Sequence, residues 1–269
     1  MLKRLFQRGR TVSTGEPQID GRPAYVPRGV RVYVVGDVHG RLDLLLAMER
    51  LIEADIAASG RRRSCILVHL GDFVDRGFDS RKVLDHLITP RADGIACVHL
   101  LGNHDLWLRE FAGSDPAGAE MAASWIRFGG DATLLSYGIK LDPAKPEEER
   151  LVIARELLRQ RFPPEHAAFL ADLDCGFGLG DYFFCHAGIR PDVALDRQND
   201  HDLLWIREPF LSWGGACGKV VVHGHTVEEA PVVRPNRIGI DTGACWTGRL
   251  TCLVLEDAGY RFLQTSEPA

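Results

Sequence analysis

Three times along the chain, an apolar run typical of a buried strand ends in a glycine and is followed by acidic or amide residues. These runs are VRVYVVGDVHG (30–40), CILVHLGDFVDRG (65–77) and IACVHLLGNHD (95–105). Between them, RLDLLLAMERLIEADIAA (41–58) and DSRKVLDHLI (79–88) place apolar residues every three to four positions, which predicts helices. The alternation predicts βαβ units, whose parallel strands present their carboxyl ends, and hence a ligand site, at one edge of a sheet.

The remaining pattern divides the chain into a tail, a helical insert and a β-rich part. Residues 1–29 show no periodicity and predict a flexible N-terminal tail, which leaves 30–269 as a single domain. Residues 111–165 predict a helical insert, either a plain cover or a lid over the site. After residue 173, a hairpin (174–188) and the strands of 219–226, 237–244, 249–257 and 260–264 are predicted.

Composition narrows the class of protein. A net charge of -5 makes nucleic acid an unexpected partner. No apolar run approaches the roughly 20 residues needed for a transmembrane segment. The seven cysteines are odd in number, without a CxxC pair, and several lie in apolar runs, so they predict buried thiols in a reducing, cytoplasmic location.

The polar residues at the strand ends form a set of oxygen and nitrogen donors. Such donors suit divalent first-row metals such as Mn, Fe or Zn, and the absence of thiolates argues against a structural zinc site. Each motif alone is a weak signal, but the ordered series points to a metal centre. The candidates are Asp37, His39, Asp72, Asp75, Asn103, His104, His186, His223 and His225.

Five of these motifs, GDVHG, GDFVDRG, GNHD, HAG and HGHT, together resemble the calcineurin-like metallophosphoesterases. More narrowly, they resemble the bacterial and phage serine/threonine protein phosphatases, over roughly residues 30–256. The resemblance implies an α/β fold, a calcineurin-like metallophosphoesterase sandwich of two mixed β-sheets flanked by helices. It also implies two divalent metal ions as cofactors, with Mn expected and Fe or Zn as alternatives.

The resemblance further assigns roles to single residues. A hydroxide bridging the two ions would attack phosphorus, His104 would be the general acid, Asp75 would orient His104, and Arg76 and Arg207 would clamp the phosphate. Asp241 would contact a histidine ligand on the side of the ring that faces away from the metal. The implied ligands are Asp37 and His39 for the first ion, Asp72 for both, and Asn103, His186 and His225 for the second.

The other histidines and the tryptophans have simpler interpretations. His69 and His99 lie within strands and are predicted to be core residues, and His223 is expected to lie outside the metal shell. Surface positions are predicted for His86, His166 and His201. Packing roles are predicted for Trp107, Trp125, Trp205, Trp213 and Trp246.

These features favour a two-metal phosphomonoester hydrolase acting on phosphoserine or phosphothreonine in a protein or peptide substrate. The alternative is a symmetric dinucleoside tetraphosphatase with a dinucleoside polyphosphate substrate. Such relatives typically replace the second aspartate of GDxxDRG, whereas Asp75 is present here. If the protein is a tetraphosphatase, the nucleoside is expected to bind at the helical insert, where the candidate residues are Arg109, Trp125, Arg127 and Lys140. A non-catalytic phosphate-binding regulator would be expected to have lost a ligand or the acid, and neither is missing.

Overall fold

Strands and helices alternate from residue 30 to residue 112, helices predominate as far as residue 171, and strands predominate after residue 175. The computed structural model describes residues 12–13, 15–59, 63–91, 95–114 and 117–265. In these ranges the strands are β1 (Val12–Ser13), β2 (Gln18–Ile19), β3 (Arg22–Pro23), β4 (Val30–Val35), β5 (Ser64–His69), β6 (Ala96–His99), β7 (Gly176–Leu179), β8 (Tyr182–Cys185), β9 (Val220–His223), β10 (Val232–Arg234), β11 (Arg237–Gly239), β12 (Thr251–Glu256) and β13 (Gly259–Gln264).

The helices of the same ranges include the two that the apolar periodicity predicts. They are α1 (Leu42–Ala58), α2 (Ser80–Leu87), α3 (Asn103–Ala112), α4 (Ala117–Glu120), α5 (Ala122–Trp125), α6 (Asp131–Ser136), α7 (Glu147–Arg161), α8 (Pro164–Ala171), α9 (Asp200–Trp205) and α10 (Ala244–Thr247). A π-helical turn, Ile126–Gly130, joins α5 to α6, and a short 3₁₀ turn spans Leu195–Arg197.

Two mixed sheets form the centre of the molecule. The first has the order β13-β12-β4-β5-β6, in which β4, β5 and β6 are parallel and β12 and β13 antiparallel. The second has the order β1-β10-β11-β9-β8-β7, in which β8, β9 and β11 are parallel neighbours. The predicted sandwich of two mixed sheets flanked by helices is therefore confirmed.

The face-to-face packing of the sheets is almost wholly apolar. From the side of the first sheet, Val34 and Leu70 pack against Phe184 and Val222 of the second sheet, and all four belong to one cluster of buried residues. On the other face of the first sheet, Tyr33 and Leu67 pack against Met48 and Ile52 of α1. Successive residues of β4 thus face opposite apolar layers, which explains its unbroken hydrophobic run.

The helical insert forms its own apolar cluster beside the first sheet. Phe111, Trp125 and Leu158 are fully buried there, together with Val74 and Leu84. His166, predicted to lie at the surface, is instead fully buried in α8. Its imidazole lies 2.7 Å from the Tyr137 hydroxyl and 2.9 Å from a carboxylate oxygen of Asp85.

The N-terminal prediction is wrong for residues 15–29. Ala24 and Val26 are buried in the layer between the sheets, and Ile19 joins them. Backbone bonds tie this segment to both sheets, from Gln18 to Pro235 and from Val26 to Asp257. Residues 1–11 and 14 of the predicted tail lie outside the described residues.

Two further expectations concern thiols and membranes. The seven cysteines, all of which the structure describes, form no disulfide with one another; Cys185 and Cys252 are buried and the other five are only half-buried. Among the helices of the described ranges, none is long and apolar enough to cross a bilayer.

Candidate dimetal active site

The candidate residues meet where strands of both sheets end. Asp37 and His39 follow β4, Asp72 follows β5, and Asn103 begins α3 directly after the loop that leaves β6. From the second sheet, the loops after β8 and β9 supply His186 and His225. All of these side chains are buried.

The loops that carry these residues are conformationally strained. His39, Asp72 and His225 adopt left-handed backbone angles, with φ of 46°, 54° and 60°. Positive φ is uncommon outside glycine and concentrates at functional sites. Two loops also touch: a Cβ on Gly102 would lie 2.1 Å from the Asp72 nitrogen, so only glycine fits there.

Asp72 lies between two groups of potential metal ligands. One group consists of His39, Asp72 and His104, and the other of Asp72, His186 and His225. Within each group the ligand atoms lie within 4.8 Å of one another. The Asp72 carboxylate approaches His39 with one oxygen, at 3.4 Å, and His186 with the other, at 3.5 Å. This arrangement suits a carboxylate shared by two ions.

Hydrogen bonds to backbone carbonyls orient two of the imidazoles. The Nδ1 of His39 donates to Val74 at 2.8 Å, and the Nδ1 of His186 donates to Leu70 at 2.9 Å. In each ring the Nε2 lone pair is therefore directed into the site, as in many metal-binding histidines. Burial lowers the pKa of both histidines, which favours the neutral form that a ligand requires.

Asn103 completes the second group. Its Oδ1 lies 2.8 Å from His186 Nε2 and 2.9 Å from His225 Nδ1. The other ring nitrogen of His225 is buried without a hydrogen-bond partner. An amide oxygen between two imidazoles is a donor set for a divalent cation.

Asp37 joins neither of the two groups of potential ligands. Its oxygens accept the backbone N–H of His225 at 3.1 and 3.3 Å. Burial, followed by the charges of Asp241 and Asp72, raises the pKa of Asp37 well above its usual value. Asp241 lies beside the Asp37 carboxylate. Mutual repulsion in this buried carboxylate cluster is what bound cations would relieve, so the residues fit a metal centre.

His104 and Asp75 form a close pair at the edge of the first group. The Nδ1 of His104 lies 2.6 Å from Asp75 Oδ2. Burial lowers the pKa of His104, but the charge of Asp72 and the bond to Asp75 outweigh it and raise the pKa above its ordinary value. A protonated imidazole held by a carboxylate can donate a proton.

Two arginines border the site. The Arg76 guanidinium contacts the imidazoles of His39 and His104 and lies 4.6 Å from the Trp246 ring centroid. Arg207 is exposed, and its Nη2 donates to the His225 carbonyl at 3.4 Å. Both guanidinium groups therefore lie beside the candidate ligands, where an anionic group would bind.

A family model for the calcineurin-like phosphoesterases matches residues 30–236, which include every motif at the strand ends. The chain belongs to this family. A "Bis(5'-nucleosyl)-tetraphosphatase, symmetrical" of Citrobacter koseri is 28% identical over 276 residues, covering 87% of this chain and 94% of that protein. A "Zinc-dependent endopolyphosphatase" of Saccharomyces cerevisiae is 33% identical over 165 residues, covering 58% of this chain and 46% of that protein.

Solved structures of this phosphoesterase fold agree with the observed architecture. A putative diadenosine tetraphosphatase superposes with a TM-score of 0.58 at 21% identity, covering 96% of this chain and 99% of that one. A Saccharomyces cerevisiae serine/threonine phosphatase superposes with a TM-score of 0.55 at 12% identity, covering 96% and 84%. At these identities the likeness shows the fold alone.

The other histidines of this phosphoesterase belong to neither ligand group. His69 and His99 stack with ring centroids 4.9 Å apart; His69 is buried and His99 half-buried. His223 is turned toward Arg237, at 3.2 Å. His86, predicted to be a surface residue, is half-buried against Glu49, whereas His201 is exposed as expected.

The insert supplies functional contacts that sequence reasoning missed. Trp125 Nε1 donates to Asp75 at 2.8 Å, and Thr133 Oγ1 donates to Asp75 at 2.6 Å. The Arg76 N–H donates to Gly129 at 3.0 Å, and a Cβ on Gly129 would lie 2.8 Å from the Arg76 nitrogen. No sequence motif marks these residues, because their contacts with Asp75 and Arg76 depend on where the insert packs.

Two predictions about aromatic and insert residues need correction. Trp246 is 61% exposed, so it is not a packing residue. Trp125 is fully buried and cannot stack on a nucleoside. Of the other insert candidates, Arg109 reaches the Leu170 carbonyl at 3.5 Å and Arg127 the Ser124 hydroxyl at 3.2 Å.

A buried carboxylate outside the predicted set also holds the site together. Asp105 accepts the backbone N–H of Phe73 at 2.9 Å and that of Gly102 at 3.0 Å. It thereby joins the two loops that carry Asp72 and Asn103. Its place in GNHD was the available signal, since it is the last residue of the motif.

Proposed function

We propose that this phosphoesterase is a two-metal hydrolase that cleaves a phosphoanhydride bond of a dinucleoside polyphosphate. The observation that carries the two-metal chemistry is Asp72, whose two oxygens face two separate ligand groups. His39 and Asp72 would hold one ion, and Asp72, Asn103, His186 and His225 the other, with Asp37 adjoining. When bound, two divalent ions supply Lewis acidity and activate water for attack on phosphorus. We propose Mn as the native metal, with Fe or Zn as alternatives, since the donors are nitrogen and oxygen.

The remaining steps belong to side chains of the protein. Arg76 would bind a phosphoryl oxygen, because its planar fork suits two oxygens of one phosphate. Arg207 would contact the same group from the His225 side. His104, held by Asp75, would transfer its proton to the leaving oxygen as the phosphorus–oxygen bond breaks.

The substrate class is supported by the relatives. The tetraphosphatase of Citrobacter koseri aligns over 94% of its own length, whereas the endopolyphosphatase aligns over 46%. Hydrolysis of a dinucleoside polyphosphate therefore has better support than hydrolysis of a phosphoprotein, which the motifs favoured.

A phosphomonoesterase acting on protein remains the second candidate, and one observation favours it. Asp75 is fully buried and receives hydrogen bonds from His104, Trp125 and Thr133. Asp75 in turn holds His104, and a general acid held in this way is most useful against a basic alkoxide leaving group, as in a phosphoserine.

A substrate panel at one Mn concentration tests the proposal. We expect kcat/KM for diadenosine tetraphosphate, with ADP as the product of the symmetric cut, to exceed that for phosphoserine peptides and small phosphomonoesters. Asp72→Asn should abolish turnover, and Glu148→Gln, a charge change on the exposed surface of α7, should not. A higher kcat/KM for the phosphopeptide would refute the proposed substrate class and favour a phosphomonoesterase that acts on protein.

A further inference from the structure

Two large aromatic side chains remain exposed in segments that contact Arg76. Trp246 is 61% exposed and Phe128 is 55% exposed. The Arg76 guanidinium lies over the Trp246 ring at 4.6 Å, and the Arg76 backbone bonds to Gly129, the residue after Phe128. The two aromatic rings therefore come from two different segments of the chain, each of which contacts the arginine that is proposed to bind phosphate.

Phe128 is supported by a series of aromatic contacts that ends at the proposed acid. Its ring stacks on Trp107 with centroids 5.7 Å apart and planes 21° apart. Trp107 meets the His104 ring edge-on at 5.1 Å and Trp205 at 4.8 Å. Phe128 is thus held on one face while more than half of it stays accessible, which makes it a pre-organised flat surface.

Trp246 stands on the short helix α10, directly after the loop that carries Asp241. Gly243, with φ of 69°, makes the turn into this helix. The indole is therefore placed next to the Arg76 guanidinium, five residues after Asp241 in the chain. An exposed indole beside a phosphate-binding arginine can receive a flat, uncharged ring whose attached phosphates continue to the arginine.

We propose that Phe128 and Trp246 are stacking surfaces for the two bases of a dinucleoside polyphosphate. This rests on the proposed function. Phe128 would take the base of the leaving nucleotide, because its support reaches His104, which protonates the leaving oxygen. Trp246 would take the base at the other end. The polyphosphate between them meets Arg76, and stacking on a π-face needs no particular base, so the site accepts different nucleosides.

A series of substrates with two, one or no bases tests this proposal. Diadenosine tetraphosphate, adenosine tetraphosphate and inorganic tetraphosphate share the reacting chain, so ratios of their kcat/KM isolate the bases. Loss of one stacking contact is expected to lower the ratio of dinucleotide to inorganic tetraphosphate by roughly 5- to 150-fold in Phe128→Ala and in Trp246→Ala. Trp246→Phe should restore most of the ratio.

Tyr25→Ala is the matched control, because Tyr25 is also an exposed aromatic residue. It lies by the turn between β7 and β8, at the opposite end of β8 from His186. The ratio should not change in this variant. An unchanged ratio in both Phe128→Ala and Trp246→Ala, with the dinucleotide still hydrolysed, would overturn the stacking proposal and leave the proposed function intact.

Binding to chelator-treated protein separates the two proposals. Stacking of adenine on Trp246 should quench tryptophan fluorescence with diadenosine tetraphosphate but not with inorganic tetraphosphate, and Phe128→Ala should weaken the affinity. Base-dependent binding by the chelator-treated protein, with no hydrolysis of the dinucleotide after Mn is restored, would uphold the stacking surfaces and refute the proposed activity. Equal affinity for both probes, or quenching by a phosphoserine peptide alone, would refute the stacking surfaces.

Discussion

Trp125→Phe tests whether the insert positions the acid. The indole N–H donates to the same Asp75 oxygen that holds His104, at 2.8 and 2.6 Å. Burial raises the pKa of Asp75, and the bonds from His104, Thr133 and Trp125 oppose that rise. A hydrogen bond to a charged group contributes about 1.5–3 kcal/mol. If all of this free energy keeps the acid in place, kcat falls by about 10- to 150-fold when phenylalanine removes the donor.

The assay compares two leaving groups under saturating Mn. Phenyl phosphate, with the more basic leaving oxygen, should lose more kcat than p-nitrophenyl phosphate, and metal content should stay at the wild-type level. Phe111→Leu is the control for packing, since Phe111 contacts Trp125 at a centroid distance of 4.7 Å without touching Asp75. Equal losses for both substrates, or an equal loss in Phe111→Leu, would show that Trp125 acts through stability alone.

Three further expectations address the metal centre and the core. Asp72→Asn should reduce the content of both ions together, measured by elemental analysis; loss of one ion with full activity would contradict a shared carboxylate. His104→Asn should lower kcat by about 10²–10⁴ with metals retained, whereas Asn103→Ala should lower metal occupancy; the reverse pattern would exchange their roles. Burial lowers the pKa of His99 from 6.5 to about 4, so the folded protein holds it neutral while the unfolded chain gains a proton. The resulting stability is present above about pH 6.5 and is lost as the pH falls toward 4, and urea unfolding should show a smaller loss in His99→Leu.

Much of the site followed from sequence because its residues sit immediately after strands. Asn103 and His186 are 83 residues apart, and Asn103 and His225 are 122 apart. They converge because β6 of the first sheet and β8 and β9 of the second sheet end at the same side of the sandwich. Motif order therefore carried three-dimensional information for these residues.

The sequence was less informative where position depends on tertiary packing. Trp125 and Thr133 meet Asp75 from 50 and 58 residues away, through an insert without a motif. His166 is buried because Tyr137 and Asp85, distant in the chain, supply its hydrogen-bond partners. Residues 15–29 escaped detection because strands of two residues are too short to show periodicity.

The N-terminal segment has a practical consequence for choosing where a recombinant form of this protein should begin. The family match starts at residue 30, which invites trimming there. Such a cut would remove Ala24 and Val26 from the layer between the sheets and leave the Val26 partner Asp257 without its backbone bond. The uncovered strip would consist of valine, leucine and aromatic side chains, a surface prone to self-association. A shortened form should therefore keep residues 15–29, and also Val12 and Ser13, which form β1 and pair with β10 in the second sheet.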